Sequence, residues 1–153
     1  LLARWNTLIA LIGADFHGHE EALRNFRLKA EKAKADIVVI CGDITHFGSI
    51  RQAKALLSLL VSVRLPILFV PGNCDPPSLG EVEVEGARCI HGRYESHGDI
   101  TFFGIGGGPV SPFNTPFEMT EEEIRQLLGR ETRNLPANRR LMLVSHTHLR
   151  VQE

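Results

Sequence analysis

The amino-acid sequence predicts an α/β domain with a mainly parallel first sheet. Three observations support this. Short apolar runs alternate with amphipathic helical stretches, the runs end next to residues able to bind metal, and after Gly86 the texture changes to short segments separated by glycine and aspartate. Alternation of strands and helices at this spacing implies βαβ crossovers and helices covering the faces of a parallel sheet.

Leu8-Ile9-Ala10-Leu11-Ile12 is a continuous apolar run ending at a glycine, the pattern of a strand buried on both faces. Leu23, Phe26, Ala30 and Ala33 then recur at three- and four-residue steps among charged residues, which predicts an amphipathic helix. The unit repeats. Ile37-Val38-Val39-Ile40-Cys41 forms the strand, and Ile50, Ala53, Leu57 and Leu60 form the stripe of a helix opened by the capping box Ser49 and Gln52. Ile67-Leu68-Phe69-Val70 is the third strand. Beyond Gly86, the segments 87–90, 93–96 and 100–105 read as an antiparallel second part of a β-sandwich, with His97-Gly98-Asp99 as a tight hairpin. A loop rich in Gly, Pro and Phe runs from Gly106 to Pro116. Thr120 and Glu123 make another capping box, and Leu141-Met142-Leu143-Val144 reads as one more buried strand.

A chain of 153 residues fits one compact domain, so residues 1–153 are expected to share one core. Acids and bases nearly cancel, with a formal net charge of −1. That gives no electrostatic footprint for nucleic acid, and no sequence-specific nucleic-acid partner is expected. Cys41, Cys74 and Cys89 are odd in number and scattered, which suggests a reducing compartment without disulfides and a cytoplasmic location. No apolar run approaches the roughly 20 residues of a membrane span. The opening Leu1-Leu2-Ala3-Arg4-Trp5 does not read as a signal peptide, and the missing initiator Met suggests a fragment.

The chemistry is expected where the apolar strands end. Asp15 and His17 follow the first strand, Asp43 the second, Asn73 the third, and His146 the strand near the end of the chain. In an open parallel sheet the carboxyl ends of the strands point to one edge, where ligand crevices form. Residues two apart in extended chain project to the same side, so Asp15 and His17 can grip one ion together. Asp43, with two oxygens, can bridge a pair. Mixed carboxylate, amide and imidazole ligation suits Mn, Fe, Zn or Ni better than Ca, and two such ions would clamp a phosphate and generate a nucleophile for in-line attack.

Asp15-Phe16-His17, Gly42-Asp43, Gly72-Asn73-Cys74-Asp75 and Ser145-His146 resemble, in order, the first four signature blocks of the calcineurin-like metallophosphoesterases. Segments 42–48, 71–77 and 115–118 are similar to a prokaryotic subgroup of that superfamily. The resemblance covers nearly the whole chain. It implies an αββα four-layer sandwich with an incomplete second sheet, and a centre of two divalent metal ions, Mn first, with Fe, Zn or Ni as alternatives. In that pattern Asp15 and His17 bind one metal, Asp43 bridges, and Asn73 and His146 bind the other. Asp43 and Asn73 are the expected catalytic residues, and His46 joins them on its position alone: close behind Asp43, it can lie at the crevice and contact phosphate.

The sequence departs from the family pattern twice. The third block usually carries a histidine that assists the leaving group; Cys74 stands in its place, which implies weak monoesterase activity or a diester substrate. The fifth block, Gly-His-x-His, is not clearly present, so the chain reads as C-terminally truncated, with weakened affinity for at least one metal. Ser145-His146-Thr147-His148 can be read as the fourth block with the chain cut short or as a degenerate fifth block; the first is favoured because no earlier strand offers a fourth-block histidine. His148 is then not an inherited ligand, yet two residues from His146 it remains a candidate substitute. The expected partner is a phosphoester small molecule or nucleotide-like substrate, with no membrane, and with self-association left open. The rival expectation is a binding or scaffold module that keeps the fold without turnover.

Several residues have plainer explanations. His19 reads as a polar residue of the first helical turn, and His91 and His97 as members of exposed turns. Asp and Asn commonly cap helices and form turns after strands, so no one of these positions carries weight alone. Gly104-Ile105-Gly106-Gly107-Gly108 is not a dinucleotide loop, because Pro109 occupies the third glycine's place; it reads as a close-packed turn near the crevice.

Overall fold

The computed structural model describes residues 8–61, 64–131, 133 and 140–147. The first sheet contains β1 (Ala10–Gly13), β2 (Ile37–Cys41), β3 (Ile67–Val70) and β4 (Ala87–Cys89), in that spatial order and all parallel. Helices α1 (Glu20–Ala33) and α2 (Ile50–Val61) lie in the connections from β1 to β2 and from β2 to β3. Glu20 and Glu21 sit in the first turn of α1, where carboxylates complement the helix dipole. Lys34, in left-handed backbone, ends the helix by donating its N–H to the carbonyls of Ala30 and Glu31. The Ser49 hydroxyl caps α2 by accepting the Gln52 N–H at 3.3 Å.

Strand alternation sends the side chains of the first sheet into two cores. Val38, Ile40, Ile67 and Phe69 face the helices, where Leu23 and Ala30 of α1 and Ala53, Leu56, Leu57 and Leu60 of α2 are buried against them. On the other face, Ile37, Val39, Leu68 and Val70 meet the second sheet. That sheet holds β5 (Tyr94–His97), β6 (Ile100–Ile105) and, after a short ladder of β7 (Gly108–Pro109) with β8 (Glu118–Met119) and helix α3 (Glu121–Glu131), strand β9 (Arg140–Ser145). Ile100, Phe102 and Val144 supply its inner face. The helix, sheet and sheet layers of the expected αββα sandwich are therefore present. α3 touches the second sheet's entry through Leu127, whose Cδ1 lies 2.8 Å from where a Cβ on Gly92 would be.

Three expectations need correction. Segment 87–90 does not open an antiparallel sheet: β4 joins the first sheet, parallel to β3. The hairpin of β5 and β6 is antiparallel as expected, and β9 pairs parallel with β6, because α3 lies in the connection and returns the chain in the same direction. β1 is not buried on both faces: among the described residues it is an edge strand of the first sheet, β9 lies against β2, and Ile12 is 51% exposed. Among the described residues β9 is likewise an edge strand. Its inner residues Met142 and Val144 pack on the first sheet, while Leu141 and Leu143 stay about half exposed on the outer face.

Candidate metal centre

The turns leaving β1, β2 and β3 are locked together by backbone hydrogen bonds beyond the strand ends. Asp15 N–H donates to Gly42 O at 3.1 Å, His17 N–H to Asp43 O at 2.8 Å, and Gly18 N–H to Ile44 O at 2.8 Å. Phe16 anchors the first turn by burying its ring edge-on against Phe26. Asp15 (φ 58°), His17 (φ 46°) and Asp43 (φ 51°) all take the left-handed backbone, which for non-glycine residues costs energy and concentrates at functional sites. β9 lies against β2, and this brings His146 to the same place.

Asp43 is the centre of the arrangement. Only 4% of it is exposed, and its two oxygens face different imidazoles: Oδ2 lies 3.7 Å from His17 Nε2 and Oδ1 lies 3.4 Å from His146 Nε2. Oδ1 also accepts the Cys74 N–H at 2.8 Å. Two glycines make this approach feasible. A Cβ on Gly72 would run into the Asp43 carboxylate and amide, and one on Gly42 would lie 2.6 Å from His146 Nδ1.

Among the described residues two groups of donors result. Asp15, Asp43 and His146 each place one ligand atom within 4.8 Å of the others, and so do His17, His46 and Cys74. The resemblance pairs Asp15 with His17 on one ion, whereas these two groups separate them. Asn73 joins the first group, its Oδ1 lying 2.9 Å from His146 Nε2. His46 is exposed at the rim, its ring centroid 5.4 Å from that of His17. His148 lies outside the described residues.

Hydrogen-bond chemistry tests whether these residues suit cations. His146 Nδ1 lies 2.8 Å from the carbonyl of Cys41, which can only accept, so Nδ1 carries the proton. Nε2 then faces the oxygens of Asn73 and Asp43, an arrangement that a positive charge between them would satisfy. Metal-binding histidines characteristically donate their second N–H to a carbonyl in this way. His17 Nδ1 is buried without a hydrogen-bond partner among the described residues. The donor set therefore fits divalent metal ions.

Asp75 is the residue that sequence reasoning missed. Its carboxylate is fully buried and accepts the N–H groups of Ile44 (3.0 Å), Thr45 (2.7 Å) and Gly72 (2.9 Å) as well as the Thr45 hydroxyl (2.8 Å). It thereby ties the turn that presents Asp43 to the turn that presents Asn73. The available signal was an acid two residues after Asn73 with no basic residue nearby to pair with.

The Cys74 thiol is pushed up to about 12. Burial contributes most, followed by its hydrogen bond to Asp43 and the negative charges of Asp43, Asp75 and Asp15. It is a protonated thiol at neutral pH. His91 is half buried rather than lying in an exposed turn. Its Nδ1 accepts the Gly106 N–H at 2.8 Å, and burial, then Arg93, holds its pKa below the usual imidazole value. His91 thus braces the glycine turn, which packs close to the site as expected, Gly108 lying against Asn73. His19 is exposed and precedes α1 without a side-chain cap.

The loop between β7 and β8 is closed by Glu118, which accepts from the amides and hydroxyls of both Ser111 and Thr115. These bonds lower its pKa to about 2, against 4.5 for an ordinary glutamate. The folded carboxyl is the more acidic, so its contribution is complete above about pH 4.5 and fades as pH falls toward 2. A carboxyl NMR titration is expected to place the Glu118 midpoint near 2, and a midpoint near 4.5 would show that the loop does not hold it.

Cavities of about 400 and 700 Å³ lie elsewhere, lined by residues such as Ile37, Pro66 and His97 or Glu81, Glu83 and Arg88, and they include none of the donors. All three cysteines are free thiols. Among the described residues no helix is long and apolar enough to cross a membrane.

The fold and cluster define a class: an α/β sandwich that presents carboxylate, amide and imidazole donors at the carboxyl ends of parallel strands. The chain belongs to the calcineurin-like phosphoesterase family, whose sequence pattern matches residues 9–151. The uncharacterized protein MJ1162 of Methanocaldococcus jannaschii is 40% identical over 133 residues, 86% of this chain and 57% of that protein. A probable cyclic nucleotide phosphodiesterase of Vesicomyosocius okutanii is 45% identical over 40 residues, 26% of this chain and 17% of that protein. The structure of TT1561 from Thermus thermophilus superposes with a TM-score of 0.67 at 21% identity, covering 81% of this chain and 62% of that one, a likeness of fold. The chain thus spans less than two thirds of the length of each of these proteins.

Proposed function

We propose that this chain is a metal-dependent phosphoesterase acting on phosphodiesters, with a dinuclear centre held by Asp15, His17, Asp43, Asn73 and His146. The observation that carries the reading is the Asp43 carboxylate between two imidazoles, one oxygen turned toward each. Family membership supports hydrolysis as the reaction class. When bound, a pair of divalent ions, Mn2+ first among the candidates, neutralises charge on the phosphoryl oxygens and makes a water nucleophilic at neutral pH.

The chain's own groups fix everything else. Asp43, held by the Cys74 amide, keeps the two donor groups in register. His146, its Nδ1 proton on the Cys41 carbonyl, offers Nε2 in a fixed tautomer. His46 at the exposed rim can donate to a phosphoryl oxygen. Cys74 stands where the family pattern has histidine, and a thiol is a poorer proton donor to a leaving alkoxide than an imidazole, so the leaving group gets little help from this position. This favours diesters with stable leaving alcohols over monoesters, in keeping with the name carried by the partial relative.

The test compares a diester and a monoester of the same alcohol with added Mn2+. Preferential diester cleavage is expected, with Cys74→His raising monoester turnover on the order of 10- to 100-fold by restoring an acid–base group. Tight Mn2+ binding without hydrolysis of either ester would reject the enzyme and select a binding module.

A further inference from the structure

We infer that Phe47 is a specificity residue, its exposed ring, beside His46, a platform that receives a planar substituent of the substrate, a nucleobase or aryl group. The inference deepens the phosphoesterase reading and rests on it for the location of the phosphate.

Two energetic costs meet at this position. Phe47 has φ 57°, a left-handed conformation that is a genuine outlier for a bulky side chain. The residue is also 56% exposed, although it follows the buried run Gly42 to Thr45. Single exposed apolar residues are ordinary on protein surfaces. A phenylalanine held in strained backbone so that its ring stays in water is not, and such outliers persist where the surroundings enforce them.

The surroundings do enforce it. Phe47 N–H donates to the Cys74 carbonyl at 3.1 Å. The Gly48 N–H donates to the Thr45 hydroxyl, and Thr45 is in turn bound through its amide and hydroxyl to Asp75. A Cβ on Gly48 would lie 2.9 Å from Thr45 Cβ, so the turn folds back closely on Thr45. The loop is thus clamped to the same buried carboxylate that positions the donors.

Its direction is set by the neighbouring rings. The Phe47 centroid is 4.6 Å from that of His46, and the His46 centroid is 5.4 Å from that of His17. A path of rings therefore leads from the donor cluster to the exposed face of Phe47. A second exposed ring, Phe113 at 84%, rides on the loop whose Phe117 N–H donates to the Asn73 carbonyl. Bases and aryl groups stack on such rings irrespective of their hydrogen-bonding pattern, whereas a sugar or short alkyl group gains little there.

The experiment measures binding to the full chain with Mn2+ present, by calorimetry, comparing a nucleoside 5′-monophosphate with ribose 5-phosphate. The wild type is expected to prefer the nucleotide by on the order of 10-fold. Phe47→Ala is expected to bring that ratio close to 1, and Phe47→Tyr to retain it, with circular dichroism confirming that both variants fold. Equal affinities in the wild type, or a preference that survives Phe47→Ala, would overturn the inference, as would failure of both ligands to bind. A preference that follows Phe47 in a protein that cleaves no ester would uphold the platform and reject the phosphoesterase reading instead.

Discussion

Asp43→Asn is expected to lower diester hydrolysis by about 10³-fold or more, roughly 4 kcal/mol of barrier, with little change in folding. The carboxylate is nearly isosteric with the amide, so the backbone bonds around it survive. The amide has a single oxygen and no charge. It can accept the Cys74 N–H or serve one imidazole's side of the cluster, but it cannot offer an anionic oxygen to both His17 and His146 as the native carboxylate does. Steady-state kinetics across a Mn2+ titration would show the loss persisting at saturating metal. Recovery of full activity at high Mn2+ would mean that Asp43 contributes affinity alone.

The second large effect is expected at Asp75, which touches no candidate ligand side chain. Asp75→Ala leaves three backbone N–H groups and a hydroxyl without their buried acceptor. Each orphaned donor costs about 1–3 kcal/mol, so a total of at least about 3 kcal/mol is expected even after water enters the gap. Urea denaturation reads that loss directly as a lowered midpoint. Because the same bonds register the turn of Asp43 against that of Asn73, the folded fraction should also bind Mn2+ more weakly, by about 10- to 100-fold. A variant of wild-type stability would show that these hydrogen bonds are dispensable.

The parts of the fold legible in the sequence are those whose environment is set by local pattern. Strands 37–41 and 67–70 are buried on both faces, so an unbroken apolar run describes them fully. The stripe Ala53, Leu57 and Leu60 on α2 works the same way, because one helix face meets one sheet. Edge position is not encoded locally. Leu8–Ile12 and Leu141–Val144 look like central strands, yet whether a neighbour covers their second face depends on distant segments, and here that face is half exposed. Strand direction is not encoded locally either. Cys89 and Leu143 carry no mark of their partner; β4 runs parallel to β3, and β9 parallel to β6, because of the connections between them.

The candidate site was legible as residue types at strand ends, which is why Asp15, His17, Asp43, Asn73 and His146 meet. Its finer geometry was not. Asp15 and His17 both take left-handed backbone, so the extended-chain argument that projects residues two apart to the same side does not describe this turn. Asp75 escaped notice because a buried carboxylate satisfied by three backbone amides and a hydroxyl leaves no charged partner to find in the sequence.

The most direct test of the central claim is the number of Mn2+ ions bound per chain at equilibrium, followed by calorimetry in wild type and Asp43→Asn. Two ions per wild-type chain, one of them weaker, and the loss of at least one in the variant are the predicted results. A single ion or none in the wild type, or two bound equally well without the Asp43 carboxylate, would contradict a shared centre built around that residue.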